Sequence, residues 1–156
     1  MSEGQLRPKL GDFSSIVCLK AIVTGLEDIM GLQAARGNLV LAGRKRGKTI
    51  ANQLNLKQTD KPVEEWSEMV REAIGKNGTC LCDIVNVSVN DDSITVDLQD
   101  TVCSAGEEQG SPRELTFTLG AIQGVLEEIT GRRMTGKQTA SVLRGGDYDS
   151  IIFTLR

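Results

Sequence analysis

Between Glu114 and Leu155 the hydrophobic period changes once, from helical to alternating. Leu115, Leu119, Ile122, Val125, Leu126 and Ile129 recur at spacings of three and four. That spacing predicts one amphipathic helix, with Gly131 standing where a C-cap belongs. Gly120 and Gly124 share one face of it. An interior glycine costs ~1 kcal/mol against alanine, so the pair calls for a backbone or a ligand packed close. Downstream, Thr139–Leu143 and Ser150–Leu155 read as strands, with Arg144-Gly145-Gly146-Asp147 as their turn. The rest of the chain is expected to pack against this helix–hairpin unit.

Upstream, residues 1–12 read as a flexible polar arm. Ser14 or Ser15 can cap a helix running to Met30, with Ile16, Leu19, Val23, Leu26 and Met30 on one side and Gly31 closing it. The next segment admits two readings. As a helix after Gly37 it places Leu39, Ala42 or Gly43, Arg46 or Gly47, Ile50 and Leu54 on one flank. As a strand it offers Asn38–Leu41 and then a glycine-rich basic turn. The helix is favoured, because the flank continues past the glycines. Asp60 is placed to cap a third helix from Pro62, carrying Val63, Trp66, Met69, Val70, Ala73 and Ile74, with Lys76-Asn77-Gly78 ending it. Ile84, Val87 and Val89, then Ile94, Val96 and Leu98, bracket Asn90-Asp91-Asp92 as a hairpin, and 101–111 is a loop. Helices, hairpin, helix, hairpin is a segregated order. It predicts an α+β fold, helices packed on an antiparallel sheet made of two hairpins, in a single domain over 13–156.

Composition narrows the picture. A chain of 156 residues with 39% hydrophobic content can bury one core, and with only 3% aromatic residues that core is aliphatic. No stretch approaches the ~20 apolar residues of a membrane span, and the N-terminal residues lack a signal-peptide apolar region, so a cytoplasmic protein is expected. Net charge is −3, divided unevenly: residues 1–78 hold 12 Lys/Arg against 9 Asp/Glu, and residues 79–156 hold 6 against 12. The bias is too weak to imply a nucleic-acid partner. Cys18, Cys80, Cys82 and Cys103 are expected as thiols. Histidine is absent, which excludes a Ser-His-Asp or Cys-His nucleophile, a His-ligated haem and a His-containing zinc site within the chain.

Ala42-Gly43-Arg44-Lys45-Arg46-Gly47-Lys48-Thr49 fits a permissive phosphate-loop pattern in which Ala42 replaces the first glycine. A nucleotide hydrolase built on it would need a parallel sheet and a second acidic site, for which Asp97 is the sole candidate. A helix with Gly43 and Gly47 against a neighbour explains the same residues. Cys80-Leu81-Cys82 with Cys103 has too few ligands for a metal, although on a strand Cys80 and Cys82 would share a face; buried thiols as small apolar fillers are preferred. Glu127-Glu128 are placed on the outer face of the last helix, near Arg132 and Arg133. No carboxylate pair stands out as catalytic, so no enzyme is expected.

AGRKRGKTIANQL, PRELTFTLGAIQGVLEEITGRR and KQTASVLRGGDYDSIIFTL together resemble the vinyl-reductase (hydrocarbon-binding or small-molecule-binding) domain family over roughly residues 14 to 155. The resemblance implies an α+β fold, related to vesicle-tethering subunits that hold an acyl chain and more distantly to haem-based nitric-oxide sensors. It implies a hydrophobic ligand between helices and sheet, with some members linked to (bacterio)chlorophyll synthesis. Many members of the family that the chain resembles carry a cysteine before the last helix and two more in the final hairpin, a set that could bind metal. Here Cys103 stands near the first, but the hairpin has Thr139, Ala140, Ser141, Asp149 and Ser150 instead, so no metal and no cofactor is expected. The resulting reading is a non-catalytic binding or regulatory module for a lipid-like or tetrapyrrole-like molecule, in a chamber beneath the closing helix. Its candidate ligand residues are Leu39, Gly43, Gly47, Ile50, Cys103, Gly120, Ile122, Gly124 and Leu126, the glycines serving either helix approach or ligand space. The alternatives are a protein-interaction scaffold or assembly factor for a pigment–protein complex, with a protein partner or a homodimer, and a phosphate-loop hydrolase.

Overall fold

The structure is a computed structural model that describes residues 7–11, 13 and 15–156. Ser14 and most of the arm therefore lie outside the described residues. Helix α1 (Ile16–Met30) begins at Ser15, whose Oγ accepts the Val17 N–H at 3.2 Å. Gly31, at φ +82°, both ends α1 and admits α2 (Leu32–Gln53) directly. No strand forms at 38–41, and the helix starts before Gly37 rather than after it. Helix α3 (Val63–Ile74) has Pro62 at its N-cap with no side-chain capping bond, so Asp60 does not cap it. Proline's missing N–H is one that a helix start leaves unpaired anyway.

Strands β1 (Asp83–Val89) and β2 (Ser93–Gln99) form the expected first hairpin. Helix α4 (Phe117–Thr130) ends at Gly131 in the left-handed region. Strands β3 (Met134–Ala140) and β4 (Asp149–Leu155) complete an antiparallel sheet of order β1-β2-β4-β3. The fold is thus α+β, four helices on one sheet made of two hairpins. The start of β3 differs from the expected Thr139 for a physical reason. Only Met134 is buried in this edge strand, so it carries almost no apolar signal. The apolar pair Val142 and Leu143 instead enters a 3₁₀ turn, where Ser141 Oγ accepts the Leu143 N–H at 3.2 Å.

Helix α4 is buried from Thr118 through Glu127. One side meets the sheet, where Val96, Leu98, Ile151 and Phe153 pack with Leu119, Ile122, Val125 and Leu126. The other side meets α2, whose buried positions (Ala35, Leu39, Gly43, Gly47, Ile50, Ala51) form a narrow stripe in a mostly polar helix. The two helices run in the same direction with their backbones in contact. A Cβ on Gly43 would stand 2.1 Å from the Phe117 carbonyl oxygen, and one on Gly47 would stand 2.0 Å from that of Ala121. Reciprocally, a Cβ on Gly120 would stand 2.0 Å from the Val40 carbonyl oxygen, and one on Gly124 would stand 2.1 Å from that of Arg44. Four glycines, two per helix, therefore set the α2–α4 spacing.

Beyond the end of α4, the buried carboxylate of Asp149 ties the connecting loop to the second hairpin. It accepts Thr101 Oγ1 and Ser104 Oγ, each at 2.7 Å, and the Val142 N–H at 3.1 Å. Three donors for one buried carboxylate satisfy it without a cation.

Candidate functional site

The nine expected ligand residues do not converge on one opening. Gly43, Gly47, Gly120 and Gly124 serve the first of their two expected roles, helix approach, and the facing backbone fills the space above each. Ile50, Ile122 and Leu126 belong to the main core, while Leu39 packs with Val23 and Ala35 in a smaller cluster. Cys103 is buried, its Sγ 3.8 Å from Thr116 Oγ1 and 3.6 Å from Thr118 Oγ1. The underside of α4, where the chamber was expected, carries close-packed side chains against the sheet.

One opening lies on the flank of α4 rather than beneath it, and a larger one of ≈ 590 Å³ lies beside residues 99–105, Val142 and Asp147. A groove of ≈ 490 Å³ runs between α2, α4 and the edge strand β3. Val40, Leu119, Met134 and Gly136 supply its apolar surface, and none of the nine residues lines it. Arg36, Arg44, Arg133 and Arg156 also line it. A smaller opening of ≈ 240 Å³ shares Arg44, Glu127 and Arg133 with it and adds Lys48, Lys57 and Arg132. Arg36 pairs with Glu114, and Arg44 Nε donates to Glu127 Oε2 at 2.6 Å. The side chains of Arg133 and Arg156 meet no carboxylate among the described residues.

Glu127 anchors this region and is not on the outer face of α4. It is only 6% exposed. Its Oε1 accepts the Met134 N–H at 3.1 Å and Gln123 Nε2 at 3.2 Å, and Gln123 also donates to the Met134 carbonyl at 3.0 Å. The pair thus clips the start of β3 onto α4. Burial alone would push the Glu127 carboxyl up, but the bonds from Arg44, Met134 and Gln123 together hold it below its ordinary 4.5. Glu107, between Lys20 and Arg113, is lowered against its burial in the same way.

These two shifts fix a pH dependence. A carboxyl with a lower pKa when folded leaves the unfolded chain binding more protons, so its stabilisation is complete above about 4.5 and fades as pH falls through the folded value. Urea midpoints are expected to be level from pH 7 to 5 and to fall below 4.5. Glu127→Gln should flatten part of that fall; an unchanged acid limb would contradict the role given to Glu127.

Other motifs resolve simply. Residues 42–49 lie inside α2, so the phosphate-loop reading fails: a helix interior has its N–H groups engaged and offers no cradle. Thr49 Oγ1 is spent on the Lys45 carbonyl at 3.2 Å. Cys80 and Cys82 do not share a face, since Cys80 sits at φ +54° before β1, exposed, while Cys82 is buried. Burial, with the neighbouring Cys103, pushes the Cys82 thiol far up, so it is an inert filler.

Sequence spacing missed Arg36, Val40, Gln123, Arg133 and Met134. One usable signal was present. Gln123 and Glu127 stand four apart on one flank of a largely apolar helix, a polar pair facing something other than core.

No family model matches the chain, and no curated protein matches its sequence. Solved structures do share its fold. The phenol-responsive sensory domain of the transcription activator PoxR, solved with phenol, superposes with a TM-score of 0.72 at 15% identity, over 92% of this chain and 76% of that one. A trafficking protein particle complex subunit 3 from Naegleria fowleri, covalently bound to palmitic acid, superposes with a TM-score of 0.54 at 16% identity, over 90% of this chain and 95% of that one. The second of these meets the expected likeness in fold to a subunit that holds an acyl chain.

Proposed function

We propose that this chain is a non-catalytic binding or regulatory module for a hydrophobic small molecule bearing a carboxylate, held in the groove between α2, α4 and β3. The observation that carries the reading is a groove in which Val40 and the nearly buried Leu119 and Met134 lie beside the guanidinium groups of Arg133 and Arg156, which meet no carboxylate among the described residues. An apolar body contributes ~25 cal/mol for each Å² it removes from water, and a bidentate arginine fixes the carboxylate end. Lipid-like and tetrapyrrole-like molecules both have this form. The phenol and palmitic acid held by the two neighbours support a small-molecule role on this architecture.

Titration calorimetry and native mass spectrometry with palmitate and with a porphyrin dicarboxylate test it. At least one probe is expected to bind one-to-one. Arg133→Ala should weaken it by ~10-fold, the worth of one charge-assisted hydrogen bond. Gly37→Leu offers a steric control: Gly37 lines the groove and has no atom within 4 Å of its Cβ position, so the leucine should obstruct the ligand without disturbing the fold. Undiminished binding in both variants would place any ligand elsewhere.

A further inference from the structure

Cations gather at the C-terminal end of α4. The opening of ≈ 240 Å³ there is a hollow lined by Arg44, Lys48, Lys57, Arg132 and Arg133 against Glu127 and Glu128. Two of the five cations are matched. Arg44 is bonded to Glu127, and Lys48 Nζ stands 3.8 Å from Glu127 Oε2 and 3.8 Å from Glu128 Oε1. Lys57, Arg132 and Arg133 meet no carboxylate among the described residues. Overall charge does not put them there. Residues 79–156 hold 12 Asp/Glu against 6 Lys/Arg, yet Arg132, Arg133 and Arg156 all line this hollow or the groove beside it. The main chain fixes both rims. Leu56 is buried and the Gln58 N–H donates to the Glu128 carbonyl at 2.8 Å, so Lys57 stands between two anchored neighbours. Opposite, the Arg132 N–H donates to Thr130 Oγ1 at 3.2 Å, and the Arg133 carbonyl accepts the Arg156 N–H at 3.0 Å.

A helix end attracts cations by itself, since its last carbonyls carry roughly −0.5 of a charge. That half-charge and the two carboxylates together offset only about half of the five cations lining the hollow. A concave site lined by one sign of charge focuses its field and draws in a counter-ion. One carboxylate would leave more than one of the remaining charges unmatched. A phosphate group brings about −1.5 to −2 and three acceptor oxygens. Arginine meets it as a fork and lysine as a point charge, and the hollow presents both kinds. Arg133 lines the groove as well as the hollow. The phosphate can therefore be a free ion or the head of a molecule whose apolar part lies along Val40 and Met134. The second source rests on the groove reading given above; the first does not.

We infer that the hollow at the end of α4 is a phosphate subsite, in which Lys57, Arg132 and Arg133 hold a dianionic phosphate group. Calorimetry of the full chain at about pH 8, where the phosphate is dianionic, compares dodecyl phosphate, dodecanoate and inorganic phosphate, the amphiphiles below their micelle-forming concentrations. Dodecyl phosphate is expected to bind at least ~10-fold tighter than dodecanoate. Lys57→Gln and Arg132→Gln should each remove most of that margin. Neither residue lines the groove, so dodecanoate should stay within ~3-fold of its parent affinity. Neither side chain has a carboxylate partner to lose, so the urea midpoint should not fall. Inorganic phosphate that binds alone, and that either variant weakens by ~10-fold, assigns the subsite to the free ion. A gain confined to dodecyl phosphate assigns it to a headgroup. Gly37→Leu separates subsite from groove, because it should weaken both amphiphiles and spare inorganic phosphate. Phosphate binding that depends on Lys57 and Arg132 but ignores Gly37→Leu keeps the subsite and refutes the groove. Equal affinity for the two amphiphiles with no uptake of inorganic phosphate overturns the inference, whether or not the groove holds an apolar ligand. Phosphate binding indifferent to both glutamine variants overturns it too.

Discussion

Gly47→Ala is expected to destabilise the protein by about 3 kcal/mol or more, against the rule that alanine improves a helix. The rule alone would give a gain of ~1 kcal/mol. In this fold the added methyl would lie 2.0 Å from the Ala121 carbonyl oxygen and 2.9 Å from the Val125 nitrogen. Both neighbours are main chain in a helix buried on two sides, so neither can rotate away. The helices must part by more than an ångström, which loosens the reciprocal contacts at Gly43, Gly120 and Gly124 together. Overpacking of this kind costs ~1–3 kcal/mol where side chains yield, and more where only backbone can move. Gly37→Ala is the matched control, with an open Cβ position in the same helix, and should gain ~0.5–1 kcal/mol. Equilibrium urea unfolding of the two variants decides the matter. A Gly47→Ala chain as stable as its parent would mean that α2 and α4 do not touch as described.

That contact shows what the hydrophobic pattern could and could not carry. Two glycine pairs at four-residue spacing, one on each helix, were legible as a demand for a close neighbour. Whether that neighbour was ligand or backbone was not, because spacing within one helix says nothing of what lies across from it. The core was legible where it alternates cleanly, as in Ile94, Val96 and Leu98, and in the stripe of Trp66, Val70 and Ile74 on α3. It failed at β3, an edge strand whose Thr135, Lys137 and Thr139 face solvent and whose place is set by Glu127 and Gln123 rather than by burial. Edge strands of this composition resist further pairing, and the same polarity hides them from a pattern search.

The groove was invisible for a related reason. Its walls come from the polar flank of α2, the polar pair on α4 and residues beyond the C-cap, segments far apart in sequence. In a linear reading each belongs to a solvated face. Only the parallel packing of α2 on α4, close enough through the glycines to bring Arg44 within reach of Glu127, joins them into one site.

Arg113→Met is expected to cost about 3–5 kcal/mol and to release α1 from the body of the protein. Arg113 holds three carboxylates. It is bonded to Glu27, its Nη2 lies 3.3 Å from Asp28 Oδ1, and its Nε lies 2.9 Å from Glu107 Oε1. Lys20 Nζ extends the set, 2.7 Å from both Glu107 Oε1 and the Cys103 carbonyl. The network joins α1 to the loop that leads into α4, and Glu27, only 4% exposed, has no other cation in it. Removing the arginine strands that buried carboxylate, which costs far more than the pair itself contributes. Two comparisons separate this account from lost packing. Glu27→Leu should cost less, because Arg113 keeps Glu107 and Asp28, and adding it to Arg113→Met should recover most of the loss, since no charge is then left buried. Hydrogen exchange should accelerate through residues 16–30 in the single Arg113→Met variant and stay slow in α4, where the glycine contacts remain. A single variant losing under ~1 kcal/mol, or a double variant no better than the single, would show that this network does not hold α1 in place.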